Sequence, residues 1–181
     1  MGALGMLETS SIAKGMEAAD AMLKAAKVDL VLSATTCPGK YLTVVAGEVA
    51  NIEASIRAGE SSAGGDVVDR LILANIHPSV QEAMAGVGEI GEITSLGVIE
   101  TFSVSSCIVA ADLAAKAAMV QLIELRPGHG IGGRAYVTMA GEVAAVEASV
   151  GAGSQYAEGQ GLLVRSVVIP RLHADLKQAV V

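Results

Sequence analysis

Aromatic side chains are nearly missing from this chain: it has no Trp, one Phe and three Tyr, 2% in all. Proteins that grip single-stranded nucleic acid stack bases on such rings, so that platform is excluded. Basic residues are scarce as well, 12 Lys and Arg against 19 Asp and Glu, for a net charge of −7 and a pI near 4.9. No cluster of Lys and Arg offers the electrostatic footprint that DNA or RNA requires. Hydrophobic residues make up 52% and mean hydropathy is +0.54. Yet no run approaches the roughly 18 uncharged residues of a membrane helix; the charge-free run 101–111, for example, stops at Asp112. The excess apolar surface is therefore expected in a subunit interface. Two cysteines, Cys37 and Cys107, do not make a disulfide framework. The thiols are expected free or metal-bound, in a reducing cytosol. The first six residues, MGALGM, carry no basic segment and have Met at position 6, so neither a signal peptide nor an N-myristoyl site is expected.

What remains is Ala, Val, Leu, Ile and Met, small side chains suited to helices packed closely on a sheet. Their order repeats. Gly5-Met6-Leu7-Glu8-Thr9 returns as Gly97-Val98-Ile99-Glu100-Thr101, and Ala18-Ala19-Asp20 as Ala110-Ala111-Asp112, both 92 residues on. Ala46-Gly47-Glu48-Val49 returns as Ala140-Gly141-Glu142-Val143, and Glu53-Ala54-Ser55 as Glu147-Ala148-Ser149, both 94 residues on. A two-residue insertion thus lies between positions 118 and 140, most naturally in a glycine-rich loop. Within one repeat the pattern predicts a strand over 4–9 and a helix from Ser10-Ser11 to about 26. Strands at 28–34 and 41–46, a helix at 49–62, a strand at 67–76 and a short helix opened by Pro78 follow. The order β-α-β-β-α-β reads as an α/β (α+β) split βαβ, ferredoxin-like unit. Two tandem domains are drawn at 1–91 and 92–181. Such repeats suit a ring of three chains with six near-equal positions, closed by heterologous contacts.

Two loops hold equivalent places in the repeats. The first reads Thr35-Thr36-Cys37-Pro38-Gly39-Lys40; the second runs from Arg126 through Pro127, Gly128, His129, Gly130, Ile131, Gly132 and Gly133 to Arg134. A lone cysteine is usually a small hydrophobe. Cys37, however, lies in a turn, where backbone amides and Lys40 favour its thiolate. Cys107, among Val104, Ile108 and Ala111, reads as a buried structural thiol. The glycines of the second loop are a poor match to a phosphate cradle and read as a tight turn. His129 is either a solvated turn residue or one facing the ring axis. His77 and His173 follow apolar strands and read as structural. Glu8 and Glu100 read as duplicated fold positions rather than a catalytic carboxylate pair. No nucleophile–base arrangement stands out, so no enzyme is expected.

The Gly-x-hydrophobic-Glu-Thr start, the Ala-Ala-Asp-x-x-x-Lys helix, the glycine-rich loop and the Ala-Gly-Glu-Val segment together resemble the bacterial microcompartment shell domain, twice over. Val168-Ile169-Pro170-Arg171-Leu172-His173 is similar to that domain's ending. The resemblance implies a tandem-domain shell protein in the bacterial cytoplasm, forming a trimeric pseudohexameric tile that packs with other shell proteins. It places the tile-edge contacts on Lys24, Lys116 and Arg171; the first repeat has Asn75-Ile76-His77-Pro78 and no arginine there. It places Thr36, Cys37, Pro38, Gly39, His129, Gly130, Ile131 and Gly132 at a central pore. In the subtype it most resembles, Cys37 of three subunits holds an iron–sulfur cluster, a 4Fe-4S centre with one iron lacking a protein ligand, for electron transfer across the shell to an encapsulated or cytosolic redox enzyme. Two other readings stand beside it: a pore for small metabolites without a cluster, and a ferredoxin-like regulatory trimer.

Overall fold

The computed structural model describes residues 2–87, 91–128 and 130–178 of the 181. The chain forms two compact units, Met1–Ile76 and His77–Val181.

In the first unit β1 (Ala3–Thr9), α1 (Ile12–Ala25), β2 (Asp29–Thr36), β3 (Lys40–Gly47), α2 (Val49–Ala63) and β4 (Val67–Leu73) follow in order. The sheet runs β2-β3-β1-β4, with every neighbouring pair antiparallel. Ser11 starts α1 as its N-cap, accepting from the Lys14 N–H at 3.3 Å, which satisfies one otherwise orphaned amide. Helices α1 and α2 pack together and against the sheet. Leu7, Met22, Ile52 and Ile56 are fully buried in that layer, each worth about 1.5–3 kcal/mol on removal from water. With so few aromatics the layers come very close. A Cβ on Gly59 would sit 2.6 Å from Met22 Cγ and 2.8 Å from Leu7 Cδ2.

The second unit opens with α3 (Pro78–Ala85) and continues through β5 (Ser95–Thr101), α4 (Val104–Ala117), β6 (Gln121–Pro127), β7 (Ala135–Gly141), α5 (Val143–Gly159), β8 (Leu163–Ile169) and α6 (Ala174–Lys177). Its sheet runs β6-β7-β5-β8, also antiparallel throughout. The split βαβ order read from the repeat is thus present twice.

Two details go beyond the sequence reading. The strand expected over 67–76 stops at Leu73, because Asn75 takes a left-handed backbone (φ 60) that no strand accommodates. Its apolar run is also interrupted: Val67, Asp69, Leu71 and Leu73 are partly covered, while Val68, Arg70 and Ile72 face solvent. The second concerns α3. By sequence it ends the first repeat, yet it belongs to the second compact unit, where it packs on β6 and α4. Its apolar residues Val80 and Ala83 are buried, and the His77 N–H donates to Asp112 Oδ1 at 2.7 Å. The two-residue insertion falls in the β6–β7 turn: that turn spans 128–134 against 37–39 between β2 and β3, and the rest of the difference arises because β6 ends one residue before, and β7 begins one residue after, its counterpart in the first unit.

Candidate functional site

The Cys37 loop is the tip of the β2–β3 hairpin. Thr36 pairs with Lys40 across the ladder, leaving Cys37, Pro38 and Gly39 to reverse the chain. The Cys37–Pro38 peptide is cis, and Gly39 has φ 74, a left-handed conformation that favours glycine. Cys37 is half-buried and makes no disulfide. Beneath the tip lies Glu8 on β1. Its buried carboxylate takes Lys40 Nζ at 2.7 Å and accepts from Thr36 Oγ1 at 3.2 Å. Thr36 is buried as well. The Lys40 ammonium, expected to support a Cys37 thiolate, is therefore engaged by Glu8.

The second hairpin repeats the device. Glu100, at the position of Glu8, takes Arg134 Nη1 at 3.1 Å, and Arg134 is at the position of Lys40. The Arg134 guanidinium also sits 5.7 Å from the Phe102 ring centroid, a cation–π contact. The loop is closed by Gly128 N–H donating to Arg134 O at 2.9 Å and Arg134 N–H donating to Ile131 O at 3.3 Å. Gly128, Gly130, Gly132 and Gly133 all have positive φ, between 58 and 81. That settles why the stretch is glycine: its backbone is left-handed, and no phosphate is needed to explain it. His129 lies outside the described residues.

Among the described residues no group of three or more His, Cys, Asp or Glu converges. Cys107 is buried in α4, and burial pushes its thiol up to about 12, as expected of a structural cysteine. His77 and His173 are helix N-caps, accepting from Ser79 and Asp175 amides. Of the residues expected at a tile edge, Lys24 is exposed and pairs with Asp20 at 2.6 Å, Lys116 is partly exposed and pairs with Asp112 at 2.6 Å, and Arg171 is exposed after β8. Sequence reasoning passed over two functions here. Glu8 and Glu100 anchor the loops, and the signal was present, since Lys40 and Arg134 recur 94 residues apart beside glutamates that recur at 92. Asp112 caps the chain entering α3, for which no short-range pattern speaks.

Comparison with known proteins agrees with this architecture. The model of the BMC domain matches residues 3–76 and 95–172. The chain is 47% identical to the bacterial microcompartment shell protein PduT of Citrobacter freundii over 96% of its own length and 95% of that protein's. It is 40% identical to the carboxysome shell protein CcmK2 of Thermosynechococcus vestitus over 44% of this chain and 81% of that one, the proportion expected of a single-domain relative. A crystal structure of a microcompartment protein from Desulfitobacterium hafniense superposes with a TM-score of 0.97 at 50% identity, covering 98% of this chain and 99% of that one. Two complete copies of one domain, each with its hairpin tip held by a buried or half-buried glutamate, place this chain in the BMC-domain family of bacterial microcompartment shell proteins.

Proposed function

We propose that this chain is a structural tile of a microcompartment shell in the bacterial cytoplasm, assembled as a homotrimer of tandem domains beside other shell proteins. The observation that carries this reading is that the BMC domain occurs twice in a chain that is like a microcompartment shell protein over 96% of its own length and 95% of that protein's. No catalytic constellation is needed for such a role. Lys24, Lys116 and Arg171 would face neighbouring tiles; the exposure of Lys24 and Arg171 supports this.

The finer reading concerns Cys37. A single chain supplies one thiol, so an iron–sulfur centre fits only where a threefold axis gathers three hairpin tips. The fit has support: Cys37 is at a tip, half-buried and free of a disulfide, on a hairpin held rigid by Glu8. Three Cys37 thiolates would hold a 4Fe-4S cluster with one iron left for another ligand. When bound, the cluster would supply one-electron transfer across the shell, to or from a redox enzyme. The protein's own part is positional. Glu8 neutralises Lys40 and fixes the tip, and the glycine-rich tips of the second unit would approach the same axis. The test is protein purified without oxygen. Brown colour and iron near one cluster per trimer are expected, both lost in Cys37→Ser with the oligomer retained. Colourless, iron-free wild type overturns the redox role and leaves a tile with a plain pore for small metabolites.

A further inference from the structure

The two repeats differ in one respect that the single chain does not resolve. Helix α3 follows β4 by four residues and rests on α4 and β6. Helix α6 follows β8 by the same four residues, and His173 caps it as His77 caps α3. Yet among the described residues α6 buries no side chain: Leu176, at the position of Val80, is 45% exposed, whereas Val80 is fully buried.

The first unit shows the complementary defect. Asp20 stands where Asp112 stands in the second unit, and both hold the lysine one turn on at 2.6 Å. The side chain of Asp112 is 4% exposed and its Oδ1 takes the His77 N–H; the side chain of Asp20 is 61% exposed. On the neighbouring edge strand Leu30 is 49% exposed, while its counterpart Leu122 is 3% exposed. Leu23 on α1 is exposed too, and its counterpart Ala115 is buried. So the first unit carries an apolar seat with a carboxylate at its end and no helix, and the second unit ends in a helix without a seat. The seat on the second unit is already taken by α3.

We propose that α6 docks on α1 and β2 of a second copy of this chain, with Leu176 against Leu23 and Leu30 and the His173 N–H donated to Asp20. The contact is heterologous and head-to-tail, the kind that closes into a ring when the rotation suits. It rests on the homotrimer reading above and specifies which surfaces make it. Lys116 stays 38% exposed with α3 in place, so Lys24 keeps its solvent face when Asp20 is covered.

The test is cross-linking. Cys107 is buried and inert, so a Cys37→Ser background leaves only introduced thiols reactive. Asp20→Cys with His173→Cys is expected to oxidise to covalent dimers and closed trimers on denaturing gels. Asp112→Cys with His77→Cys is the control, and is expected to link only within a chain. Leu176→Asp, at a site exposed within the chain, should leave the circular dichroism spectrum unchanged. It should also raise the concentration at which the trimer half-dissociates at least tenfold. Normal trimer formation by Leu176→Asp, or no intermolecular link between the thiols introduced at positions 20 and 173, overturns the docking and leaves the shell reading standing. A wild type that is monomeric by light scattering overturns both.

Discussion

Glu8 shows how one buried charge organises a loop. A carboxylate out of water is costly unless paired and hydrogen-bonded, and Glu8 has both Lys40 and the Thr36 hydroxyl. Glu8→Ala leaves the half-buried Lys40 without a partner and is expected to cost about 3 kcal/mol in urea unfolding. Glu100→Ala, whose Arg134 partner is about half exposed, is expected to cost under about 1 kcal/mol. Equal losses would contradict the burial argument. The two thiols make a second contrast. Native protein at pH 8 is expected to take up one equivalent of alkylating reagent, at Cys37 in its cluster-free form, and two after unfolding. The Cys107 thiol titrates at about 12 when folded, against 9.0 as its ordinary value. The unfolded chain therefore loses that proton first. Its contribution is intact below pH 9 and is lost as pH rises from 9 towards 12, and Cys107→Ala should flatten that alkaline limb.

At the scale of elements, closeness of helix to sheet replaces bulk of side chain. Gly153 of α5 faces the backbone of α4, and a Cβ there would fall 2.7 Å from Ile99 Cδ1 and against Ala110 O. A carbonyl in a helix cannot step aside, so Gly153→Ala is expected to destabilise by about 1–3 kcal/mol. Gly151, two residues earlier, has open space around its would-be Cβ; Gly151→Ala is expected to stabilise by about 0.5–1 kcal/mol through helix propensity. Thermal melts of the pair separate steric contact from propensity. These elements were legible because β-branched runs, the Ser11 cap and Pro78 act locally. The extent of β4 was not, since the apolar tally over 67–76 ignores the left-handed turn at Asn75.

For the whole molecule, light scattering is expected to give about three times 18.2 kDa in dilute solution. Edge contacts are best tested at Arg171, which is exposed after β8. Lys116 holds Asp112, which also takes the His77 N–H, and Lys24 holds Asp20 in the same way, so substitution of either lysine would disturb a helix seat. Arg171→Asp should abolish sheets or tubes seen by electron microscopy while the trimer persists. Collapse of the trimer instead would place that residue inside it.

The duplication, the strand and helix order, the two hairpin loops and the structural character of Cys107 were all present in the residues, because each depends on neighbours or on a repeat that shows itself at a constant offset. So were the i,i+4 pairs Asp20–Lys24 and Asp112–Lys116; which partner a charge takes beyond its own helix was not. Lys40 is one residue past Gly39, beside the thiol, yet its ammonium goes to Glu8 on another strand; only the β1–β3 register brings them together. Likewise His77 and Asp112 lie 35 residues apart with no pattern joining them, and packing alone assigns α3 to the second unit. Local sequence determines which elements form. Long-range register and burial, where an unpaired charge is expensive, decide which side chains meet.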